Sequence, residues 1–272
     1  MRKTSMLFLG WLVLPFLLDA TELSPWYPRD LELQPQASYC YQTYHTVDTV
    51  HGFAHRPAYN HFLDLSLSGA YSQYAVEIET LLAATRHRTF GFADLRLTGR
   101  YQWFDDVIGD PLSLTTGLTV AQVFEQARHD LSCFYHGGIE FEFHVAAGQE
   151  CTCREFWQSR YWGVLGFGFA DQGSPWLRAN VAWEHNWWDT QEVTFFINSL
   201  WGCGGEGLHL HHKHFHGYGP IHHQSIDIGF NYSYGLECGG VLSCGYAHRL
   251  YALNCPRCVN NWCVSFLYPF GL

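Results

Sequence analysis

The sequence is short of charge. Asp, Glu, Lys and Arg make up 15% of its 272 residues, against about 25% in an ordinary soluble domain. Basic residues are the scarcer sign: 15 Lys and Arg against 25 Asp and Glu leave a net charge of -10 with His neutral. That excludes a nucleic-acid partner, because a phosphate backbone asks for a basic surface. Long apolar runs are also missing after the first 20 residues, whereas a spanning helix needs about 18 continuous apolar residues or more. A membrane signal in this chain must therefore be carried by strands.

Aromatic residues are abundant. Phe, Trp and Tyr reach 17%, with eleven Trp and twenty Phe, while mean hydropathy is only -0.12. A water-facing fold would have to bury most of these rings with little charged surface to cover them.

The chain divides into three parts. Arg2 and Lys3 precede the apolar run Met6 to Leu18, and Ala20 supplies a small residue before Thr21, so residues 1–20 read as a secretory signal peptide. Residues 21–37 are Pro-rich and read as an extended lead-in, and residues 38–272 as the folded body.

The body is organised around the stretch Phe92 to Phe104. Ala93, Leu95, Leu97, Tyr101 and Trp103 fall on one face of a strand, and Asp94, Arg96, Thr98, Arg100 and Gln102 on the other. It is long enough for a tilted membrane strand of about 9 to 11 residues. The same alternation recurs at 61–71, 74–82, 112–120, 139–145, 161–170, 177–187, 193–198, 226–234, 241–251 and 262–270, with a weaker first strand at 38–47. Val120, Val123, Phe124 and Ala127 sit at helical spacing, which predicts a short helix in a loop. The expectation is an all-β, transmembrane antiparallel barrel of about 12 strands, an even number as bacterial barrels have. With both termini inside, the connections 48–60, 123–136, 202–224 and 252–260 fall outside and 72–73, 188–191 and 235–240 inside. The stretch 148–158 is long for an inner turn.

The signal peptide, the successive amphipathic strands and the aromatic-alternating end Trp262, Val264, Phe266, Tyr268 and Phe270 resemble bacterial outer-membrane β-barrels. The resemblance implies an outer-membrane location, a lipid bilayer as partner, and reading of the last strand by the barrel-insertion machinery. It also implies a porin-like channel or a structural envelope protein. On this register the inward face carries Glu77, Glu79, Asp94, Glu140, Glu142, Glu184, Glu192 and Asp227 against Arg96, Arg100 and Arg178. Acids outnumber bases. As a pore lining this set favours cations, because carboxylates facing a narrow aqueous path raise the local cation concentration. The alternative is that the charges pair across strands and fill the interior, since barrels of eight strands are filled and those of sixteen carry a channel.

Three further features bear on function. The run from His209 to His223 is His-rich, and alternate spacing puts His209 with His211, and His212 with His214 and His216, on common faces. Imidazole is a common transition-metal ligand, so Zn2+ or Cu2+ binding is one expectation and a solvated loop the other. A surface metal-binding or adhesive role would follow from the first. Ten cysteines in an exported chain point to disulfides. Only same-side pairs can form, with Cys133, Cys203, Cys255 and Cys258 outside and Cys151, Cys153 and Cys238 inside. In this abundance they resemble cysteine-rich, disulfide-linked envelope proteins of certain intracellular bacteria. Finally, His223-Gln224-Ser225 resembles the core of outer-membrane phospholipases, where the His activates the Ser. The sequence continues with Ile226-Asp227-Ile228 instead of that family's Asn-Gly-Arg. A lipid hydrolase using His223 and Ser225 is thus the enzyme alternative, though the register turns both side chains inward; no catalytic residues are assigned otherwise.

Overall fold

The computed structural model describes residues 23–86, 88–153, 156–187, 190–210 and 215–271. Residues 1–20, read from the sequence as a signal peptide, and His211, His212 and His214 lie outside the described residues. The strands are β1 (Glu32–Thr49), β2 (Gly52–Tyr71), β3 (Tyr74–Thr85), β4 (Arg88–Phe104), β5 (Ser113–Val123), β6 (Ile139–Cys153) and β7 (Phe156–Ala170). They continue with β8 (Trp176–Trp187), β9 (Gln191–Cys203), β10 (His222–Gly235), β11 (Val241–Leu253), β12 (Pro256–Arg257), β13 (Asn260–Leu267) and β14 (Phe270–Gly271). Each long strand pairs antiparallel with the next, and β1 pairs with both β2 and β13, which closes the sheet into a barrel of twelve long strands. The two-residue β12 and β14 also pair with β1.

The alternation sets which face meets lipid. Leu95 and Leu97 of β4 are 49% and 51% exposed, whereas the intervening residues run inward to Asp94 at 0% and Thr98 at 2%. Val76, Ile78, Phe143, Leu165, Val181 and Ile197 continue the exposed belt around the wall. Tyr71, Tyr74, Trp103, Tyr161, Trp187 and Tyr234 ring its lower rim, the end that carries both termini. In water such a belt would be a large unfavourable patch. In a bilayer it is the required surface, with amphipathic rings at headgroup level. A closed barrel also leaves no unpaired strand edge in the hydrocarbon. The chain is a closed β-barrel with the surface of a membrane-spanning one.

Two connections differ from the sequence reading. Residues 48–60 are not a loop: β1 and β2 run on to a tight turn at Val50–His51. A bulge between Tyr44 and Thr46 interrupts the alternation there, with Arg56 and Pro57 taking no ladder partner on β1. Pro lacks an amide hydrogen, so a bulge is where a strand accommodates it. The stretch 148–158 likewise belongs almost entirely to β6 and β7, and the residues between them are only 154–155. Strand β1 also begins at Glu32, so it takes in part of the lead-in. The helical spacing after Val120 yields a single turn, α1 (Glu125–Arg128), with Ala127 buried.

Candidate functional site: the barrel lumen

The inward residues form a connected polar network. Arg96 donates to Asp94 at 2.6 Å and to Glu79 at 3.2 Å, and the buried Tyr135 hydroxyl donates to the same Asp94 oxygen at 2.6 Å. Arg178 pairs with Glu142 at 2.5 Å, and Trp176 donates to the second Glu142 oxygen at 3.2 Å. Glu184 accepts from the Trp162 indole, and Glu192 from Thr194. Asp227 is held by Arg249 through both oxygens, at 2.7 and 2.9 Å. Glu140 accepts the backbone N–H groups of His136 and Gly137 at the outer end. Glu77 borders the lumen half-buried, and Arg100 is buried beside the N-terminal segment. All eleven charged residues singled out from the sequence therefore face the interior. Asp64, Glu150, Arg160 and Arg249 join them; Asp64 sits on the polar face of the 61–71 alternation and was legible there, whereas Glu150, Arg160 and Arg249 lie outside clean runs of alternation.

Both ends of the lumen are covered. At the outer end the segments 124–138, 204–210, 215–221 and 254–259 fold over the mouth, and Leu208, Tyr218, Ile221, Cys255 and Val259 pack with Tyr44, Val47 and Ala58 of the wall. Tyr218 donates its N–H to the Tyr135 carbonyl at 2.7 Å and its hydroxyl to that of Leu131 at 2.8 Å. Burial pushes the Tyr135 phenol well above its ordinary value, so it stays a hydrogen-bond donor. Arg249 lies 4.9 Å from the Phe134 ring centroid and donates to the Pro256 carbonyl, which ties the cap to the Asp227 pair.

At the inner end the lead-in enters the barrel. Leu23 is 4% exposed and packs with Ala146, Trp162, Val164 and Ala182, with Trp26 beside them. Arg100 donates to the Ser24 carbonyl at 2.9 Å and lies 4.9 Å from the Tyr27 ring centroid. The Trp26 indole donates to Asp106 at 3.0 Å, and Arg160 stacks 4.6 Å from its centroid. Gly148 makes room: a Cβ there would come within 2.8 Å of the Trp26 ring and 2.9 Å of Pro25. Burial tends to raise the Asp106 carboxyl, but hydrogen bonds from Ser113, the Glu150 amide and Trp26 outweigh it and hold it below the usual carboxylate range.

The remaining space is a cavity of about 210 Å3, bounded by Leu23 and Trp162 on one side and by β1, β2, β3, β8 to β11 and β13 on the other. Cys40 and Cys263 line it and form a disulfide across the barrel seam, at facing positions of β1 and β13. Neither cysteine had been assigned a side from the sequence. Cys255 is a free, buried thiol that donates to the Gln224 carbonyl, and burial pushes it up to about 11, the opposite of a redox-active thiol.

The His-rich segment is split. His209 lies against His51 with ring centroids 5.4 Å apart, and His216 against His129 at 5.0 Å. Among the described residues no group of three or more His, Cys, Asp or Glu side chains forms a metal cluster. His223 and Ser225 are buried, at 0% and 3% exposure, and face the interior. That denies the phospholipase resemblance its lipid-facing geometry.

No family model matches the sequence, and no curated protein does. Solved structures do match the fold. An outer membrane channel from Pseudomonas putida F1 aligns at a TM-score of 0.66 and 12% identity, over 93% of this chain and 100% of that one. The NanC porin aligns at 0.57 and 9% identity over 86% and 98%, and the KdgM porin at 0.52 and 8% over 86% and 99%. At such identities the likeness is one of fold, a porin-like outer-membrane barrel.

Proposed function

We propose that this protein is a narrow, cation-preferring channel whose resting form is closed by the outer cap and narrowed by the N-terminal segment. The observation that supports the preference is the excess of carboxylates over guanidinium groups on the inner wall, which the added residues Asp64, Glu150, Arg160 and Arg249 leave intact. Low-dielectric walls focus the field of those groups along the aqueous path. The porin-like fold of the neighbours agrees with a channel. The test is a planar-bilayer reversal potential under a KCl gradient. Cation preference should fade from low salt to 1 M, as the screening length falls from about 10 Å at 0.1 M to about 3 Å. Anion preference would reject this reading.

One observation favours a second reading, a structural envelope barrel. The outer cap is a buried apolar cluster, not a polar constriction. Absence of conductance both in the full protein and in one lacking residues 23–30 would support it. In that role the exposed free thiols Cys151, Cys203, Cys238 and Cys258 would be the groups available for pairing with other envelope proteins. On either reading the aromatic end at Phe266 to Phe270 is the segment for the insertion machinery to read, and the His-rich outer segment is a site for Zn2+ or Cu2+.

A further inference from the structure

Two imidazoles are buried together beneath the outer cap. Trp176 of β8, Gly202 of β9 and His223 of β10 are ladder partners on the inner side of the wall. Gly202 leaves that row open, since a Cβ there would run into the His223 ring. His136, from the cap segment 124–138, closes the row, stacked 3.9 Å from Trp176 and 5.2 Å from His223 between ring centroids. The two imidazoles are only 4% and 0% exposed. His223 donates its Nδ1–H to the Ile221 carbonyl at 3.1 Å, which leaves Nε2 as a lone pair. Neither that Nε2 nor either ring nitrogen of His136 has a hydrogen-bond partner among the described residues.

The surroundings decide what a proton would do here. Glu140 lies 3.6 Å from Nδ1 of His136, so a proton on that ring meets a carboxylate. His223 has no such partner. It faces His136, Phe134 and Tyr218, and Arg249 lies across the Phe134 ring with both Asp227 oxygens already on it. The other nearby carboxylates are engaged: Glu142 by Arg178 and the Trp176 indole, and Asp171 by the Gly138 and Ile139 amides. Burial first, and then the neighbouring His136, bring the His223 imidazole down to about 3 from its ordinary 6.5, with Arg249 and His222 acting the same way and only the Ile221 carbonyl opposing.

We infer that His136 and His223 form an acid-sensitive latch: the outer cap closes over His223 only while that imidazole is neutral, and protonation releases the 124–138 and 215–221 segments from the mouth. His223 is depressed in the closed cap, so its contribution is complete above the ordinary imidazole value and is lost as pH falls below it. In the open cap the ring meets water and protonates near 6.5, so each pH unit below that favours opening about tenfold. The latch lies at the outer end of β10, where the flanking His222 and Gln224 are polar and stand above the apolar belt that includes Ile228. External pH therefore reaches it once the cap loosens. For a part in permeation the inference rests on the channel reading, but the opening of the cap does not.

Cys255, a buried free thiol in the cap cluster, reports the opening directly. The full protein, folded in detergent with EDTA present so that the His-rich segment holds no metal, is treated with dithiodipyridine from about pH 7.5 to about pH 5. The rate at Cys255, located by peptide mass spectrometry, is divided by its rate in the urea-unfolded protein at the same pH. Protection should fall about 30-fold across that range, while at the exposed Cys238 the ratio should stay level. His223→Phe keeps a ring and removes the proton, so it should hold protection level. Should that variant leave the cap open even at neutral pH, His136→Phe, which keeps the Trp176 stack, should lessen the fall. Level protection in the wild type overturns the inference, and so does a fall that is unchanged in both variants or as steep at Cys238. Protection lost in acid without any conductance would leave the latch standing and remove the channel. Conductance that rises in acid while Cys255 stays protected would do the reverse.

Discussion

Cys40 and Cys263 join the first and last long strands 223 residues apart in sequence, and replacing both with Ser should weaken the barrel measurably without changing its architecture. In the chain-entropy account a cross-link acts on the unfolded chain, and its effect grows with the logarithm of the loop it closes. For 223 residues that account gives on the order of 5 kcal/mol as an upper figure, and measured bridges usually give about 2 to 4. The strands concerned already pair residue for residue, Cys40 facing Cys263 between Tyr39 and Val264 on one side and Tyr41 and Trp262 on the other. The folded state should therefore tolerate the change. Urea unfolding in phospholipid vesicles, followed by tryptophan fluorescence, is the assay: the midpoint should fall in the double variant. A loss under about 1 kcal/mol, or alkylation of both thiols in the folded, unreduced protein, would refute the reasoning. There is a kinetic corollary. The bridge faces the cavity and Cys40 is 2% exposed, so dithiothreitol should reduce it faster once residues 23–30 are removed.

Other outcomes follow from the same geometry. Leu97→Arg, in the middle of the lipid-facing row of β4, should cost about 2 to 4 kcal/mol of folding stability in vesicles; a change as small as at the lumen-facing Gln102 would reject the register. Asp106 is lowered in the folded state, so its contribution is present above the unfolded carboxylate value and is lost as pH falls through the folded one. Below the ordinary carboxylate range, or in Asp106→Asn, the Trp26 anchor should loosen and proteolysis of the 23–30 segment should quicken; unchanged cleavage at low pH would count against it. The His-rich outer segment should bind Zn2+ or Cu2+ weakly at neutral pH and lose it in acid, because protons compete with the metal for imidazole nitrogen. Calorimetry showing no heat, or binding unaffected by replacing His209, His211, His212, His214 and His216, would end that idea. Phospholipid should not be hydrolysed, and activity abolished by Ser225→Ala would show otherwise.

How much of this was legible in the sequence depends on whether the signal was periodic. Leu95 and Leu97 against Asp94 and Arg96 report a wall with two faces, because a strand alternates and the two sides meet different solvents. Where the backbone breaks that period, the sequence goes quiet. The bulge opposite Arg56 and Pro57 hid the outer half of the first hairpin, although the strands there are continuous. The N-terminal segment had no period to show, since Leu23 and Trp26 enter the lumen as an irregular chain. One clue was present. Arg100 faces Ala75 and Gly117 across its neighbouring strands, so its polar partners had to come from beyond the wall, and Ser24 and Tyr27 supply them. The seam disulfide was also within reach. Cys40 sits between Tyr39 and Tyr41 and Cys263 between Trp262 and Val264, so both belong to the inner face, and closure makes the first and last strands neighbours.

The interior is divided between two kinds of polar chemistry, and the division decides where a path can run. Strands β2 to β6 bring acids and arginines into contact, Asp94 and Glu79 on Arg96 and, from β8, Arg178 on Glu142. The N-terminal segment fills the space beside them through Arg100 and Arg160. Such paired charges are costly to separate, because breaking one leaves its partner buried and unmatched. This half behaves as a fixed support. Apart from the Asp227–Arg249 pair nearer the cap, strands β8 to β11 and β13 face it with Asn180, Thr194, Asn198, Asn231 and Ser265, side chains whose hydrogen bonds exchange with water or solute at little cost. Displacing the lead-in would widen the lumen without breaking the Arg96 and Arg178 pairs, because its contacts are to Arg100, Arg160 and Asp106 instead. A solute path would then lie along the amide-lined half, and the cation preference should respond least to Glu142, whose charge Arg178 already offsets.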